Sequence, residues 1–287
     1  MEIFFFGLGY CAEALIRRTP EIEPSGTVRS DERVAELRRR GAEAFAFDGA
    51  HADCGLEEAL KSAEAIVVSI PPRGAPGPLD RFAVALAAAP ELRRVIYYST
   101  VGVYGDHGSG WVDETSATLT RSERGLARLA DEKRWTEWGR ERGVAVDILR
   151  LPGIYGPVRN ALEKIRQGAA RRIVKKGHIV NRAHVDDIAI VSRLALARGL
   201  DGQVWNVADD EPTPPQDVIA YAAMLLGVEP PPEEPFETAK LSEMSASFFA
   251  EERRVSNAKA KRLLGFRPVY PTYREGLKAL FEAGEGR

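Results

Sequence analysis

The run Gly7-Leu8-Gly9-Tyr10-Cys11-Ala12 is the first place in this chain where residue types and spacing suggest chemistry. It fits G-x-G-x-x-A, directly after an apolar segment and at the start of a helical pattern. Gly7 permits a tight turn, and Gly9 lets backbone approach a ligand with no Cβ in the way. Ala12 is small enough for a helix to pack closely on a strand. A helix N-terminus reached in this way offers N–H groups and positive partial charge, which suit a pyrophosphate. The turn is therefore expected to hold a dinucleotide through Gly7, Leu8, Gly9, Tyr10 and Cys11.

The end of the second strand bears on which dinucleotide. An acidic residue there, about 20 residues past the glycines, would bond a ribose 2′-hydroxyl and mark NAD. Val28-Arg29-Ser30 stands there instead. A guanidinium suits a 2′-phosphate, so Arg29 and Ser30 favour NADP, with NAD the alternative through the nearby Asp31. Asp48, in Asp48-Gly49, can accept from an adenine amino group or form a turn. Ser69-Ile70-Pro71 ends the fourth strand, on the edge where ligands sit in such sheets.

These residues need a scaffold that brings strand ends to one edge. Apolar strands over 2–6, 26–29, 44–47, 65–70 and 94–98 alternate with helical patterns from 12 to about 20 and over 32–40, 56–61 and 79–89. Asp31 is the expected N-cap of the second helix. A loop rich in Gly, Ser and Asp over 100–120 precedes one long helix, 121–142, stopped by Gly143. A sixth strand, 145–151, is broken by Pro152-Gly153. Such alternation predicts a Rossmann-type α/β fold, a doubly wound parallel sheet covered by helices on both faces. The dinucleotide-binding domain is expected over 1–157, with 181–207 returning to it through a helix at 185–197 and a strand at 202–207. A smaller C-terminal substrate-binding lobe takes 158–180 and 208–287. In it, the Pro- and Glu-rich stretch 229–237 reads as an exposed loop, and helices fall near 257–264 and 273–281.

Several further segments carry a resemblance. They are Tyr98-Ser99-Thr100-Val101-Gly102-Val103-Tyr104-Gly105-Asp106, Leu149-Arg150-Leu151-Pro152-Gly153-Ile154-Tyr155-Gly156-Pro157 and Arg182-Ala183-His184-Val185-Asp186-Asp187. Together with Trp205-Asn206-Val207-Ala208-Asp209-Asp210-Glu211-Pro212 and Arg254-Val255-Ser256-Asn257, they resemble the extended short-chain dehydrogenase/reductases, the NAD(P)-dependent epimerase/dehydratase group. The G-x-G-x-x-A turn, in place of that group's G-x-x-G-x-x-G, is similar to an atypical YeeZ-like branch. The resemblance implies catalysis by a Ser/Thr, a Tyr and a Lys, with hydride moving to or from a nicotinamide. Thr100 matches the Ser/Thr position. Arg124 stands where the resemblance implies the Tyr, Arg128 stands at the Lys, and the helix 121–142 contains no tyrosine.

A guanidinium keeps its proton far above neutrality, so neither arginine can replace the tyrosine in proton transfer. Arg128 can still hold a ribose or a phosphate, and two arginines one turn apart on a helix face suit an anionic substrate. Tyr104 and Tyr155 are the remaining candidates to handle a proton. By the same resemblance Pro152, Gly153 and Ile154 pack the nicotinamide, and Arg150, His184, Asp186 and Asp187 form a fold-maintaining network. Trp135 and Trp138 on the long helix belong to the core or to an interface stripe.

Bulk properties exclude other classes. A 287-residue chain with 44% hydrophobic and 29% charged residues is long enough for one large α/β domain with a lobe attached. Its net charge of -2 gives no electrostatic case for nucleic acid or an anionic membrane. Cys11 and Cys54 cannot build a disulfide framework or a zinc site, which points to a reducing cytoplasm. The four histidines lack metal-ligand spacing, so no metal is expected. Ser99, His184 and Asp187 have no G-x-S-x-G elbow to support a hydrolase triad. The expected function is an NAD(P)-dependent oxidoreductase or epimerase acting on a small polar or sugar-like substrate, with a homodimer through the helix 121–142. The alternative is a non-catalytic dinucleotide-binding sensor or scaffold.

Overall fold

The computed structural model describes residues 1–72, 77–197 and 201–286. In chain order its first elements are β1 (Ile3–Phe6), α1 (Tyr10–Arg18), β2 (Pro24–Val28), α2 (Asp31–Arg39), β3 (Glu43–Ala46), α3 (Leu56–Lys61) and β4 (Ala65–Val68). There follow α4 (Pro78–Ala87), β5 (Arg94–Thr100), β6 (Trp111–Val112), α5 (Glu123–Arg142), β7 (Ala145–Leu151) and β8 (Gly153–Tyr155). The rest are α6 (Ala161–Arg166), β9 (Arg172–Val174), β10 (Arg182–His184), α7 (Val185–Ala197), β11 (Val204–Asn206), α8 (Pro215–Leu226), β12 (Glu233–Pro235), α9 (Glu243–Phe249), β13 (Arg254–Val255) and α10 (Tyr273–Glu282).

The chain forms two compact units. The first comprises residues 1–100, 122–150 and 188–205, and the second 101–121, 151–187 and 206–287. Residues 101–121, 151–157, 181–187 and 206–207, grouped with the dinucleotide-binding domain on sequence, fall in the second unit. A seven-stranded sheet in the order β11-β7-β5-β4-β1-β2-β3 organises the first unit, and β3, β2, β1, β4 and β5 pair in parallel. This is the Rossmann-type α/β architecture. Strands β1 and β4 are fully buried, which is why they read as unbroken apolar runs. Phe6 stacks on Phe82 with ring centroids 5.7 Å apart, and Phe47 meets Phe82 edge-on at 5.2 Å. Trp135 is fully buried and Trp138 meets it edge-on in the same core. Each such side chain contributes on the order of 2–3 kcal/mol of burial.

Helix boundaries follow their caps. Ser30, not Asp31, caps α2, its hydroxyl accepting the Arg33 N–H at 3.4 Å. Asp31 is instead the first helical residue, where its charge favours the helix dipole. Ser122 caps α5, and Gly143 at φ +69° ends it.

In the second unit β8 pairs with β10, β9 with β12 and β6 with β13, all in parallel. Helices α6, α8 and α10 close over Tyr155, Leu162, Ile219, Ala222 and Leu277. The stretch 229–237, expected to be a loop, contains β12. Its glutamates pair with β9 and its flank through Arg172–Glu233 at 2.8 Å and Arg171–Glu234 at 2.5 Å, and a proline is tolerated in so short an edge strand. The expected helix 257–264 is one π-helical stretch, Ala260–Leu264, ended by Gly265 at φ +67°. Among the described residues no helix is long and apolar enough to cross a membrane.

Candidate functional site

In the first unit the glycine turn joins β1 to α1. Gly7 has φ +102°, and a Cβ there would lie 2.4 Å from Ser69 Oγ, so the fold itself demands glycine. Ser69 uses the space, donating its hydroxyl to the Gly7 carbonyl at 2.9 Å. Thr27, fully buried on β2, holds the other side. Its Oγ1 accepts the Gly7 N–H at 3.0 Å and its carbonyl accepts the Leu8 N–H at 2.8 Å. Sequence reasoning missed Thr27, because a strand threonine carries no signal beyond β propensity.

Gly9 is different. Its backbone is extended at φ -110°, and a Cβ there would meet nothing within 4 Å. Nothing among the described residues requires a glycine there. Helix α1 also starts at Gly9 with no side-chain cap, unlike α2 and α5. An uncapped helix start behind a glycine that the fold does not need fits a pyrophosphate. Tyr10 and Cys11 form the first helical positions, and Ala12 is fully buried under them.

Arg29 follows β2 directly, exposed, with no ion pair among the described residues. Ser30 beside it is committed to capping α2. The only charged residue of the α2 first turns drawn back to α1 is Arg33, bonded to Glu13 and Glu36 at 2.5 Å each. Asp48 is exposed, and its Oδ1 accepts the N–H groups of Ala50 and His51 at 2.8 Å. These backbone bonds hold its pKa below the ordinary value. The turn-forming role is therefore present, with Gly49 buried inside it. Ile70 and Pro71 are half-buried past the end of β4.

Strand β5 carries Thr100 at its carboxyl end, half-buried. The neighbouring Ser99 is buried and donates to Glu132, whose carboxylate also receives Arg150 Nη2 at 2.8 Å and Nε at 3.2 Å. On α5, Arg128 Nη1 donates to the Tyr97 hydroxyl at 3.0 Å and to the Tyr98 carbonyl at 2.9 Å. Its guanidinium lies 5.4 Å from the Tyr97 ring centroid. Tyr97 in turn donates to Asp131 at 2.8 Å. Arg124, one turn earlier, is exposed without an ion pair among the described residues. The two arginines thus differ: Arg128 is anchored to β5 and Arg124 is not.

In the second unit Tyr104 is fully buried, and its hydroxyl donates to Asn206 Oδ1 at 2.8 Å. That bond ties Tyr104 into the buried framework of the second unit. Tyr155 packs edge-on against His184 at 5.1 Å, and its hydroxyl faces the Thr272 carbonyl at 3.5 Å. Burial first, then the carboxylates of Asp209 and Asp187, push the Tyr155 phenol far above its ordinary pKa. Pro152, Gly153 and Ile154 are half-buried at the start of β8, with the Gly153 N–H bonded to the Asn181 carbonyl at 3.2 Å. His184 Nδ1 accepts the Asp186 N–H at 3.2 Å, and Asp187 receives the Val269 and Tyr270 N–H groups at 2.7 and 3.1 Å. Asp209, named on sequence only as part of a motif, is buried with neither carboxylate oxygen hydrogen-bonded among the described residues, and burial raises its pKa to about 8. Among the described residues no group of three or more His, Cys, Asp or Glu could hold a metal ion.

A model of the NAD dependent epimerase/dehydratase family matches residues 81–208. A solved structure described as a functionally unknown conserved protein from Silicibacter pomeroyi DSS is 38% identical, covers 99% of both chains and superposes with a TM-score of 0.88. The stretch that resembles the NAD dependent epimerase/dehydratase family is thus somewhat less than half of the chain. Protein YeeZ of Escherichia coli K12 is 35% identical over 185 residues, 61% of this chain and 63% of YeeZ, so the match spans less than two thirds of that relative. The fold also matches UDP-glucuronic acid 4-epimerase from Bacillus cereus, solved in complex with NAD. That enzyme is 18% identical over 100% of this chain and 99% of its own, with a TM-score of 0.75.

Proposed function

We propose that this chain is an NADP(H)-dependent oxidoreductase or epimerase acting on a small polar or sugar-like substrate. The observation that carries this reading is Gly9, a glycine the fold does not need, at the uncapped start of α1. Gly7, Leu8, Gly9, Tyr10 and Cys11 would hold the pyrophosphate. Arg29 and Ser30 would take the 2′-phosphate, and the unpaired state of Arg29 supports NADP over NAD. Asp48 and Gly49 would sit at the adenine, with Ser69, Ile70 and Pro71 at the end of β4 beside the cofactor. Thr100 and Arg128 would serve its nicotinamide half. Bound there, the dinucleotide supplies or accepts a hydride.

For the chain's own chemistry, Thr100 would hydrogen-bond the reacting oxygen. Arg124 would take an anionic group of the substrate, for which its unpaired guanidinium is suited. Tyr155 holds its proton too firmly to give it up near neutrality. A homodimer through α5 belongs to this proposal, supported by Leu126, 53% exposed on that helix.

A second reading, a non-catalytic dinucleotide-binding sensor or scaffold, is favoured by one observation. Arg128 spends Nη1 on Tyr97 and Tyr98 where the family resemblance implies a catalytic lysine. Assays of NADPH oxidation over aldehydes, ketones and nucleotide sugars separate the two. Turnover with any of them supports the enzyme, and tight NADPH binding without turnover supports the sensor. Arg29→Ala should lower NADPH affinity about tenfold or more relative to NADH. An unchanged ratio would remove Arg29 from cofactor selection.

A further inference from the structure

The turn that follows β1 is gripped from both neighbouring strands of the first unit. Register sets Phe5 of β1 opposite Gly26 of β2, and Phe6 opposite Val68 of β4. A Cβ at Gly26 would lie 2.3 Å from the Phe5 carbonyl oxygen, so glycine there lets β2 close on β1. The next residue, Thr27, accepts the Gly7 N–H on Oγ1 at 3.0 Å and the Leu8 N–H on its carbonyl at 2.8 Å. From the other side the Ser69 N–H donates to the Phe6 carbonyl at 2.9 Å. The Ser69 hydroxyl donates to the Gly7 carbonyl at 2.9 Å.

These bonds sort the donors of the turn. The N–H groups of Gly7 and Leu8 are taken by Thr27, and each backbone N–H is a single donor. The next one, on Gly9, meets no acceptor among the described residues. The Leu8 bond ends on a backbone carbonyl and tolerates any side chain at position 27. The Gly7 bond needs a hydroxyl there. Valine would suit a buried strand as well, yet it would leave the Gly7 N–H without its acceptor. Thr27 is fully buried, so its hydroxyl acts on a ligand only through the turn.

We propose that Thr27 is a positioning residue for the dinucleotide. This rests on the reading that the turn binds one. The Thr27 hydroxyl fixes Gly7, so that the Gly9 N–H and the start of α1 are already in place for the pyrophosphate. Donors ordered before the ligand arrives bind it more tightly than donors that must be ordered by it. Gly7 and Leu8 then contribute the shape of the turn, and Gly9 contributes its first available N–H. Thr27 acts on the phosphates that NADPH and NADH share, whereas Arg29 acts on the 2′-phosphate that distinguishes them.

The test is a calorimetric titration of NADPH, NADH and ADP into the full chain, at a temperature where circular dichroism shows every variant folded. Thr27→Val should weaken all three ligands about tenfold, with the ratio of NADPH to NADH affinity as in the wild type. Thr27→Ser keeps the hydroxyl and should bind within about threefold of the wild type. Arg29→Ala should do the reverse of Thr27→Val, changing the ratio and leaving ADP affinity alone. Thr27→Cys differs from Thr27→Ser only in a weakly accepting sulfur, and replaces Thr27→Val if valine prevents folding.

A lower Tm for Thr27→Val with all three affinities unchanged would overturn the inference, because the bond would then serve the fold alone. So would Thr27→Ser binding as weakly as Thr27→Val, because the methyl group and not the hydroxyl would then matter. A wild type that binds neither NADPH nor ADP would instead overturn the dinucleotide reading, and this inference with it.

Discussion

At position 7 a Cβ would collide with Ser69 Oγ, and at position 9 it would meet no atom of the described residues within 4 Å. The first glycine serves the fold and the second serves a ligand. Both were legible, because G-x-G-x-x-A names a spacing as well as a composition. Asp209 was not legible, because its character comes entirely from burial beside Arg182, Tyr155 and its own neighbours Asp210 and Glu211. Its folded pKa of about 8 lies above the unfolded value of about 3.9. The folded state therefore holds a proton that the unfolded state has lost between those values. Stability from this group is complete below about pH 4 and is lost as pH rises toward 8. Thermal unfolding of Asp209→Asn should lack this loss, so the variant gains on the wild type by up to several kcal/mol between pH 5 and 8. Parallel Tm curves over that range would show that Asp209 ionises normally.

Among the elements, the alternation of the first half was readable because buried parallel strands are apolar runs punctuated by glycine and proline. Strands β6, β8, β9, β10, β12 and β13 were not, since two or three residues carry no periodicity. Helix α8 did carry a signal that went unused: Pro215 opens it and Gly227, at φ +67°, closes it. The long helix α5 was legible at both ends. Its tie to the sheet was not, and this tie is testable. Glu132 joins Ser99 of β5 to Arg150 of β7 inside the first unit, with Arg150 and Glu132 each 8% exposed at their side chains. Glu132→Gln removes the carboxylate charge beside the buried Arg150, which costs about 3–5 kcal/mol and should lower Tm by on the order of 10 °C. Replacing both residues with methionine should cost less than Glu132→Gln alone, because no buried charge remains. A double variant less stable than the single one would contradict the ion-pair account.

At the scale of the molecule, the fold class followed from patterning, and most of the ordered motifs lie within the stretch 81–208 that the family model matches. The division into two units was harder to read. Residues 101–121 read as a loop between β5 and the long helix, yet Tyr104 pairs with Asn206 and β6 with β13 in the second unit. What the chain does still turns on its first turn, and the most direct measurement is a calorimetric titration of NADPH and NADH into wild type, Gly9→Ala and Gly9→Val. Saturable NADPH binding, at least about tenfold tighter than NADH, is expected for the wild type. Gly9→Ala and Gly9→Val should weaken or abolish it with Tm little changed, because a Cβ added there meets no atom of the described residues within 4 Å. Equal NADPH affinity in all three proteins, or no saturable binding in any, would contradict a dinucleotide site at this turn.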